Sequence, residues 1–586
     1  MRKYSMCKWV WYSLVFLAWG CGTQSVSDQS KEVSVQTAPS FQTVSNPMNL
    51  SYRFRPELPS RREAADPTVI KFKGEYYLFA SKSGGYWYSK DLADWIFVET
   101  NEIPTEDYAP TTIVLGDKIY LAVSSKKNNK VYSSSDPKSG KWEASHTLPF
   151  AVEDPAFFLD TDNRLYLYWG CSNVKPLYAA EIDKETFQFL SETSETIFPN
   201  PAQLGFEVRG DYNDEYDNAP WLEGSWMNKH NDKYYLQYSA PGTREKSYAD
   251  GVYESDHPLG PFTLASNNPF SYKPEGFACG AGHGSTFYDD YGNLWHTGTI
   301  SVSVKHKFER RIGFYPAFFD ADGVLHTVNK YGDYPIIIPN KRIESFDEIF
   351  PGWMLLSYNK PVEVSSAVDS FAPAHANDEN IRTYWAAQSG AAGEWLSVDL
   401  GESSSIYAIQ ANFAEYNTQI LNRQQGLRHQ YVVEGSDDKT DWQMVLDKSD
   451  NDNDRSHDYT QLSEPVSYRY IRIKNVKVPD GNFAISGLRI FGKGTGAEPI
   501  KVNELEVERN IQDRRMVTLK WTKSDNATGY NISFGSHPDK LYHSYMVYTD
   551  TEVTIRSLDS KQPYFFTIES FNENGITPSE ITKQVE

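Results

Sequence analysis

Residues 65–81 read ADPTVIKFKGEYYLFAS. Asp66 and Pro67 enter an apolar stretch, Gly74 marks a turn, and GEYYLFAS follows as an aromatic-aliphatic strand. The same strand behind the same kind of turn recurs as GDKIYLAVSS (116–125), NRLYLYWG (163–170), NDKYYLQYS (231–239) and GNLWHTGT (292–299). Aligned on Tyr76, Ile119, Leu165, Tyr234 and Leu294, the five units are spaced by about 40 to about 70 residues. Repetition at that period predicts a five-bladed β-propeller, with short protected sheet edges. Ten or eleven residues before each marker stand Asp66, Ala109, Asp154, Glu223 and His283, in ADPTV, YAPTT, EDPAF, LEGSW and GHGST. In a propeller the innermost strands line the central channel, so a shared phase would bring three carboxylates and a histidine together on the axis. A single aspartate of this kind is more often part of a satisfied structural network. Three acids at matched phase favour a functional reading, and the nearby Glu57, Glu63 and Glu153 lack that phase.

Composition narrows the function classes. The chain has 586 residues, enough for three or four domains, with 57 basic against 78 acidic residues and a net charge of −21. Such an acidic surface repels phosphate backbones and argues against nucleic acid as a partner. Aromatics make up 15% of the chain, as suits β-rich domains and sugar-stacking faces. Four cysteines in this length are too few for a disulfide framework.

The first 21 residues resemble an export signal: Arg2, Lys3 and Lys8 precede the apolar run WVWYSLVFLAWG, which is too short to span a bilayer comfortably. The run ends at Ala18-Trp19-Gly20-Cys21, similar to the lipobox of bacterial lipoproteins, with Trp19 a departure and a plain secretory signal the alternative. Lipidation at Cys21 would be the chain's membrane attachment, at the cell surface or the periplasmic face of the outer membrane. Residues 22–50 are rich in Ser, Thr, Gln and Val and are expected to form a flexible tether.

Asp66-Pro67, Asp154-Pro155, Glu223-Gly224 and Gly282-His283-Gly284-Ser285 resemble the blade motifs of glycoside hydrolase family 43, over about residues 55–345. That family comprises five-bladed propellers acting on xylosides, arabinosides and some galactosides. The resemblance implies inverting hydrolysis, with Asp66 as general base, Glu223 as general acid, and Asp154 tuning the acid and positioning the sugar. It places His283 beside a calcium ion or water cluster in the channel. It also brings Arg310 to the sugar, or its neighbour Arg311 if the alignment slips by one. Two departures border the sugar site: Ser225 follows the Glu-Gly pair, and Tyr108-Ala109-Pro110-Thr111 stands in blade two. The chemistry agrees with the residue types, because inversion needs one carboxylic acid for the leaving oxygen and one carboxylate to activate water. A third carboxylate beside the acid raises its pKa by repulsion.

Tyr108 and Trp221 are candidate sugar contacts, and Trp226 is divided between stacking and core. The acidic-aromatic run from Asp211 to Asp217 is read mainly as a solvated loop, with a cation site or sugar subsite as the alternative. Cys171 and Cys279 are expected to be free thiols rather than a disulfide.

From about Trp353 the pattern changes. NDENIRTYWAA, EWLSVDLGE and ISGLRIFG, within residues 353–493, resemble a discoidin or coagulation-factor type C domain, a class that includes carbohydrate-binding modules. Asp378 and the following Arg382–Trp385 turn match a loop that often holds structural calcium. A purely structural role, propping the propeller, is the alternative. After the hinge GKGTGAEP, residues 499–586 resemble a fibronectin type III domain whose late tyrosine, Tyr564, pins a corner. The expected architecture is therefore all-β, a propeller at 51–350 followed by two sandwiches. The expected function is exo-acting α-L-arabinofuranosidase or β-D-xylosidase activity on plant polysaccharide side chains, without an organic cofactor. An exo-galactosidase of the same fold and a non-catalytic surface glycan binder are the alternatives.

Overall fold

The computed structural model describes residues 41–586, so the export segment with Cys21 lies outside the described residues. Their regular secondary structure is almost entirely β-strand, the exceptions being short 3-10 turns such as Pro137–Ser139. No helix among them is long and apolar enough to cross a membrane.

Each repeat forms a four-stranded antiparallel meander. The first strands of the five sheets are Ala65–Phe72, Tyr108–Leu115, Ala156–Leu159, Glu223–His230 and Gly282–Tyr288. Each touches the next, and the fifth touches the first, so the sheets close into a ring of five blades. The marker strands are the second strand of each blade, buried on both faces: in Glu75–Ser81 every residue is buried. That is why they read as unbroken apolar runs rather than as alternating ones. Aromatic pairs such as Phe79 against Tyr86, with ring centroids 4.7 Å apart, fill the space between blades.

Residues 22–40 of the expected tether lie outside the described residues, and residues 43–50 do not form a tether. Thr43–Val44 pairs with Ile336–Ile337, and Met48 donates its backbone N–H to Ile312 in blade five. Met48, Leu50 and Tyr52 are buried at alternate positions, so this stretch packs as an extended strap along the last blade.

Residues beyond the ring form two further β units. The first is an eight-stranded sheet built on two long strands, Trp395–Phe413 and His457–Lys477. Their register breaks at Asp399/Ser404 and Ile406/Ala408, and such bulges bend the strands around a core containing Trp385, Leu396, Ile473 and Phe483. The second packs a three-stranded sheet against a five-stranded one over Trp521, Tyr530, Phe534 and Phe566. Its Tyr564 hydroxyl accepts a 2.9 Å hydrogen bond from the Asp559 N–H, the corner tie expected of that tyrosine.

Buried charge joins the ring to the first of these units. Arg62, fully buried, donates to Glu415 at 2.6 Å and to Asp454 at 2.8 Å. Arg489, also fully buried, is bidentate to Glu379 at 2.9 and 2.8 Å and donates to the Asp333 carbonyl.

Candidate active site

The inner strands share one local device. Pairing with the second strand skips ahead after Ala65, Tyr108, Glu223 and Gly282, leaving a bulge in each. Inside each bulge sits a residue of positive φ: Asp66 (51°), Ala109 (36°), Gly224 (65°) and His283 (47°). Asp154, just ahead of the inner strand of blade three, has φ 48°. A bulge re-aims the side chain it carries, here toward the ring's interior, and a non-glycine residue held in this region stores strain of order 1–3 kcal/mol.

This geometry corrects the alignment of the repeats at one point. The residue equivalent to Asp66 in blade four is Gly224, and Glu223 precedes it by one. A Cβ on Gly224 would stand 2.5 Å from Ser239 Oγ and 2.9 Å from the His283 ring. No side chain fits there, so the blade-four carboxylate comes from the preceding residue.

A chain of hydroxyls locks the bulges. The N–H of Asp66 donates to Thr299 Oγ1 (2.9 Å), Ala109 to Ser81 Oγ (2.6 Å), Asp154 to Ser124 Oγ (2.9 Å) and His283 to Ser239 Oγ (2.7 Å). Each acceptor lies within the last three residues of the second strand of the preceding blade. Blade three has Gly170 at that position, so the pattern is interrupted where Glu223 is displaced. The next residue, Cys171, brings Sγ to 3.2 Å from Glu223 Oε2, and the Tyr248 hydroxyl donates to Oε1 at 2.6 Å.

The acids meet around His283, whose Nδ1 lies 3.4 Å from Asp66 Oδ1 and 3.9 Å from Asp154 Oδ2. Burial pushes the pKa of Asp66 up. Arg310, donating to both of its oxygens at 3.1 and 3.3 Å, then His283 and the Ser81 and Thr299 hydroxyls outweigh burial and lower it overall. Asp66 is therefore held as a carboxylate. Asp154 is pushed up to about 7, first by burial and then by Glu223 and Asp66, with His283 opposing. Burial alone would lower the His283 pKa, but Asp66, Asp154, Glu223 and Asp250 raise it. The cluster thus combines a firmly ionised acid with one poised to hold a proton near neutrality.

Arg310 and Arg311 separate as neighbours on a strand do. Arg310 faces Asp66, Glu63 (2.9 Å) and Thr243 (3.1 Å), whereas Arg311 donates to His457 (2.9 Å) and the Arg62 carbonyl in the opposite direction. Glu63 is accordingly a counter-ion that holds Arg310. Tyr108 lies beside it, its ring 5.9 Å from the Arg310 guanidinium and 3.9 Å from Lys82 Nζ. Trp221 is 38% exposed, while Trp226 is half-buried against the core and donates to the Thr286 carbonyl at 3.2 Å. Asp211 is an interdomain contact rather than a solvated loop residue, bonded to Arg382 at 2.6 Å. Cys171 and Cys279 are free. Asp378 caps its own loop, accepting from Asn380 N–H (3.1 Å) and Thr383 Oγ1 (2.7 Å).

Tyr248, Cys171 and Asp250 have no counterpart in the expected site. Asp250 is fully buried and accepts the backbone N–H groups of His283 (2.8 Å) and Gly284 (3.0 Å), which fixes the histidine bulge. The trace of this device in the sequence is the hydroxyl series Ser81, Ser124, Ser239 and Thr299, with Gly170 as its exception.

Among the described residues, Asp154, Glu223 and His283 offer ligand atoms within 4.8 Å of one another. Calcium takes about six to eight oxygen ligands. Two carboxylate oxygens and an imidazole whose neighbours favour its protonated form do not fit that demand, and no chemical step is assigned to a metal here.

Residues 60–325 match the family described as Glycosyl hydrolases family 43. The ring of blades is a glycosyl hydrolase family 43 domain. Residues 361–487 match the F5/8 type C domain. Among curated proteins, the chain is similar to a xylosidase/arabinosidase of Bacteroides ovatus, 27% identical over 255 residues, covering 34% of this chain and 76% of that one. A beta-xylosidase of Xylanibacter ruminicola is 28% identical over 167 residues, covering 24% of this chain and 46% of the relative. A solved glycoside hydrolase aligns with TM-score 0.44 and 19% identity over 73% of this chain and 97% of its own. The family 43 domain makes the chain a glycoside hydrolase.

Proposed function

We propose that the protein is an exported, exo-acting, inverting glycoside hydrolase that removes an α-L-arabinofuranosyl or β-D-xylosyl unit from plant polysaccharide side chains. The observation that carries this reading is the pairing of Asp66, ionised by Arg310, with Glu223 around the same histidine. In this scheme Glu223 gives its proton to the glycosidic oxygen as the C–O bond breaks. Asp66 takes a proton from the water whose oxygen bonds to the anomeric carbon from the opposite face. Glu223 ends as carboxylate and Asp66 as acid, and proton exchange with solvent resets both. Asp154 holds the sugar together with Arg310, Tyr108 and Trp221. The glycone follows the names of the two curated relatives, a xylosidase/arabinosidase and a beta-xylosidase.

Lipidation at Cys21 would keep the enzyme on the membrane surface, and the last β unit is assigned to the fibronectin type III class on its three-plus-five strand arrangement and its Tyr564 corner. The test is hydrolysis of aryl α-L-arabinofuranoside, β-D-xyloside and β-D-galactoside by the wild type and Glu223→Gln. Release from one of the first two that Glu223→Gln abolishes supports the assignment. Release from the galactoside alone would replace the glycone. No release from these or from arabinoxylan oligosaccharides would overturn the catalytic reading.

A further inference from the structure

The two oxygens of Glu223, the acid of the proposed reaction, lie in unlike surroundings, and the roles assigned to their neighbours rest on that reading. Oε1 accepts a 2.6 Å hydrogen bond from the Tyr248 hydroxyl. Oε2 has the Cys171 sulfur at 3.2 Å. A phenol at that distance is a strong donor, whereas a thiol is a weak one. Tyr248 is fully buried, and its position is over-determined. Its N–H donates to the Glu245 carbonyl at 3.2 Å, and its own carbonyl accepts from Ala281 at 2.9 Å. Gly282 of blade five presses so close that a Cβ there would stand 2.9 Å from the Tyr248 ring. The tyrosine is thus wedged between blades four and five with its hydroxyl on the carboxylate. Cys171 stands at the one break in the hydroxyl series, beside Gly170.

We propose that Tyr248 and Cys171 are positioning residues for the acid: Tyr248 holds Oε1, and Oε2, beside the weakly donating thiol, is the oxygen that carries the proton to the leaving group. As that proton moves to the glycosidic oxygen, the electron pair of the breaking C–O bond goes to the same oxygen and the carboxylate left behind gains negative charge. The Tyr248 hydroxyl already points at this charge, so its hydrogen bond strengthens toward the transition state and favours departure of groups that need protonation. A hydroxyl in place of the thiol would be a strong donor on Oε2 and would compete for the orientation that proton delivery needs.

The experiment compares two aryl glycosides of the same glycone. A 2,4-dinitrophenyl group departs without help from an acid, and a phenyl group requires it. Tyr248→Phe, with the full-length protein and an unchanged melting curve as the folding control, is expected to lose about 10- to 100-fold in kcat/KM on the phenyl glycoside, the range for a hydrogen bond to a charged group. On the dinitrophenyl glycoside it should stay within about threefold. Cys171→Ser should show the same selective loss and provides the test if Tyr248→Phe does not fold. Glu223→Gln run in parallel separates the two levels. If Glu223→Gln itself shows no leaving-group selectivity, the acid assignment fails. If Glu223→Gln is selective but Tyr248→Phe and Cys171→Ser slow both substrates equally, or neither, the positioning proposal fails.

Discussion

Asp154 should make the protein less stable as pH rises, and removing its charge should reverse that. Its pKa is raised from an ordinary 3.8 to about 7, first by burial and then by Glu223 and Asp66. A carboxyl with a raised folded pKa binds its proton more tightly in the native state than in the unfolded chain. Below about pH 4 both states are protonated and the group costs nothing. Between about pH 4 and pH 7 only the unfolded chain ionises, so stability falls, and above about pH 7 the loss is complete. A shift of about three units at about 1.4 kcal/mol each gives roughly 4 kcal/mol as the ceiling. Asp154→Asn is therefore expected to match the wild type near pH 4, apart from any constant offset, and to gain about 2–4 kcal/mol on it by pH 7.5, while losing activity. Urea melts of both proteins at half-unit steps from pH 4 to 8 measure the difference curve. A flat curve across that range would refute this account of Asp154, because a side chain that only packs or only contacts substrate has no reason to titrate with stability.

Arg310→Ala takes away the largest influence lowering the Asp66 pKa, so the acidic limb of the kcat/KM profile should move to higher pH, with about 100-fold lower activity at its optimum; a profile that falls without moving would separate Arg310 from the ionisation of Asp66. Gly224→Ala puts a Cβ 2.5 Å from Ser239 Oγ at φ 65° and should cost about 3 kcal/mol, read as a lower urea midpoint together with loss of activity.

The ring of blades was legible because its second strands are buried on both faces and so repeat as apolar runs that no other constraint edits. Asp66, Asp154 and His283 could be found by counting back from them, since each occupies the strained position of its blade. Glu223 was found by the same count for a different reason. The count tolerates a one-residue slip, and only the backbone shows that Gly224 fills the equivalent place. Tyr248 and Asp250 lie at the third strand of blade four, outside the counted phase: Tyr248 reaches back to Glu223 of its own blade and Asp250 across to His283 of blade five, relations that no repeat encodes. The strap at residues 41–50 has few aromatics and so reads as a tether, although Met48, Leu50 and Tyr52 alternate as buried residues do. Arg310 and Arg311 could not be told apart by motif, because strand geometry alone decides which one faces the channel.

Arg62 and Arg489 bear on how such a chain can change over generations. Both are fully buried: Arg62 of the blade ring has its two carboxylate partners, Glu415 and Asp454, in the F5/8 type C domain, and Arg489 of that domain pairs with its own Glu379 and reaches across to the Asp333 carbonyl. A buried charge that loses its partner costs about 3–5 kcal/mol, more than most single substitutions. A recombination event that exchanged one domain for an unrelated one would strand Arg62 on the day it occurred and would take from Arg489 its contact with Asp333. The two domains are therefore expected to be inherited as a single block, with the appended domain answering to selection on the fold of the ring as much as to any sugar it meets.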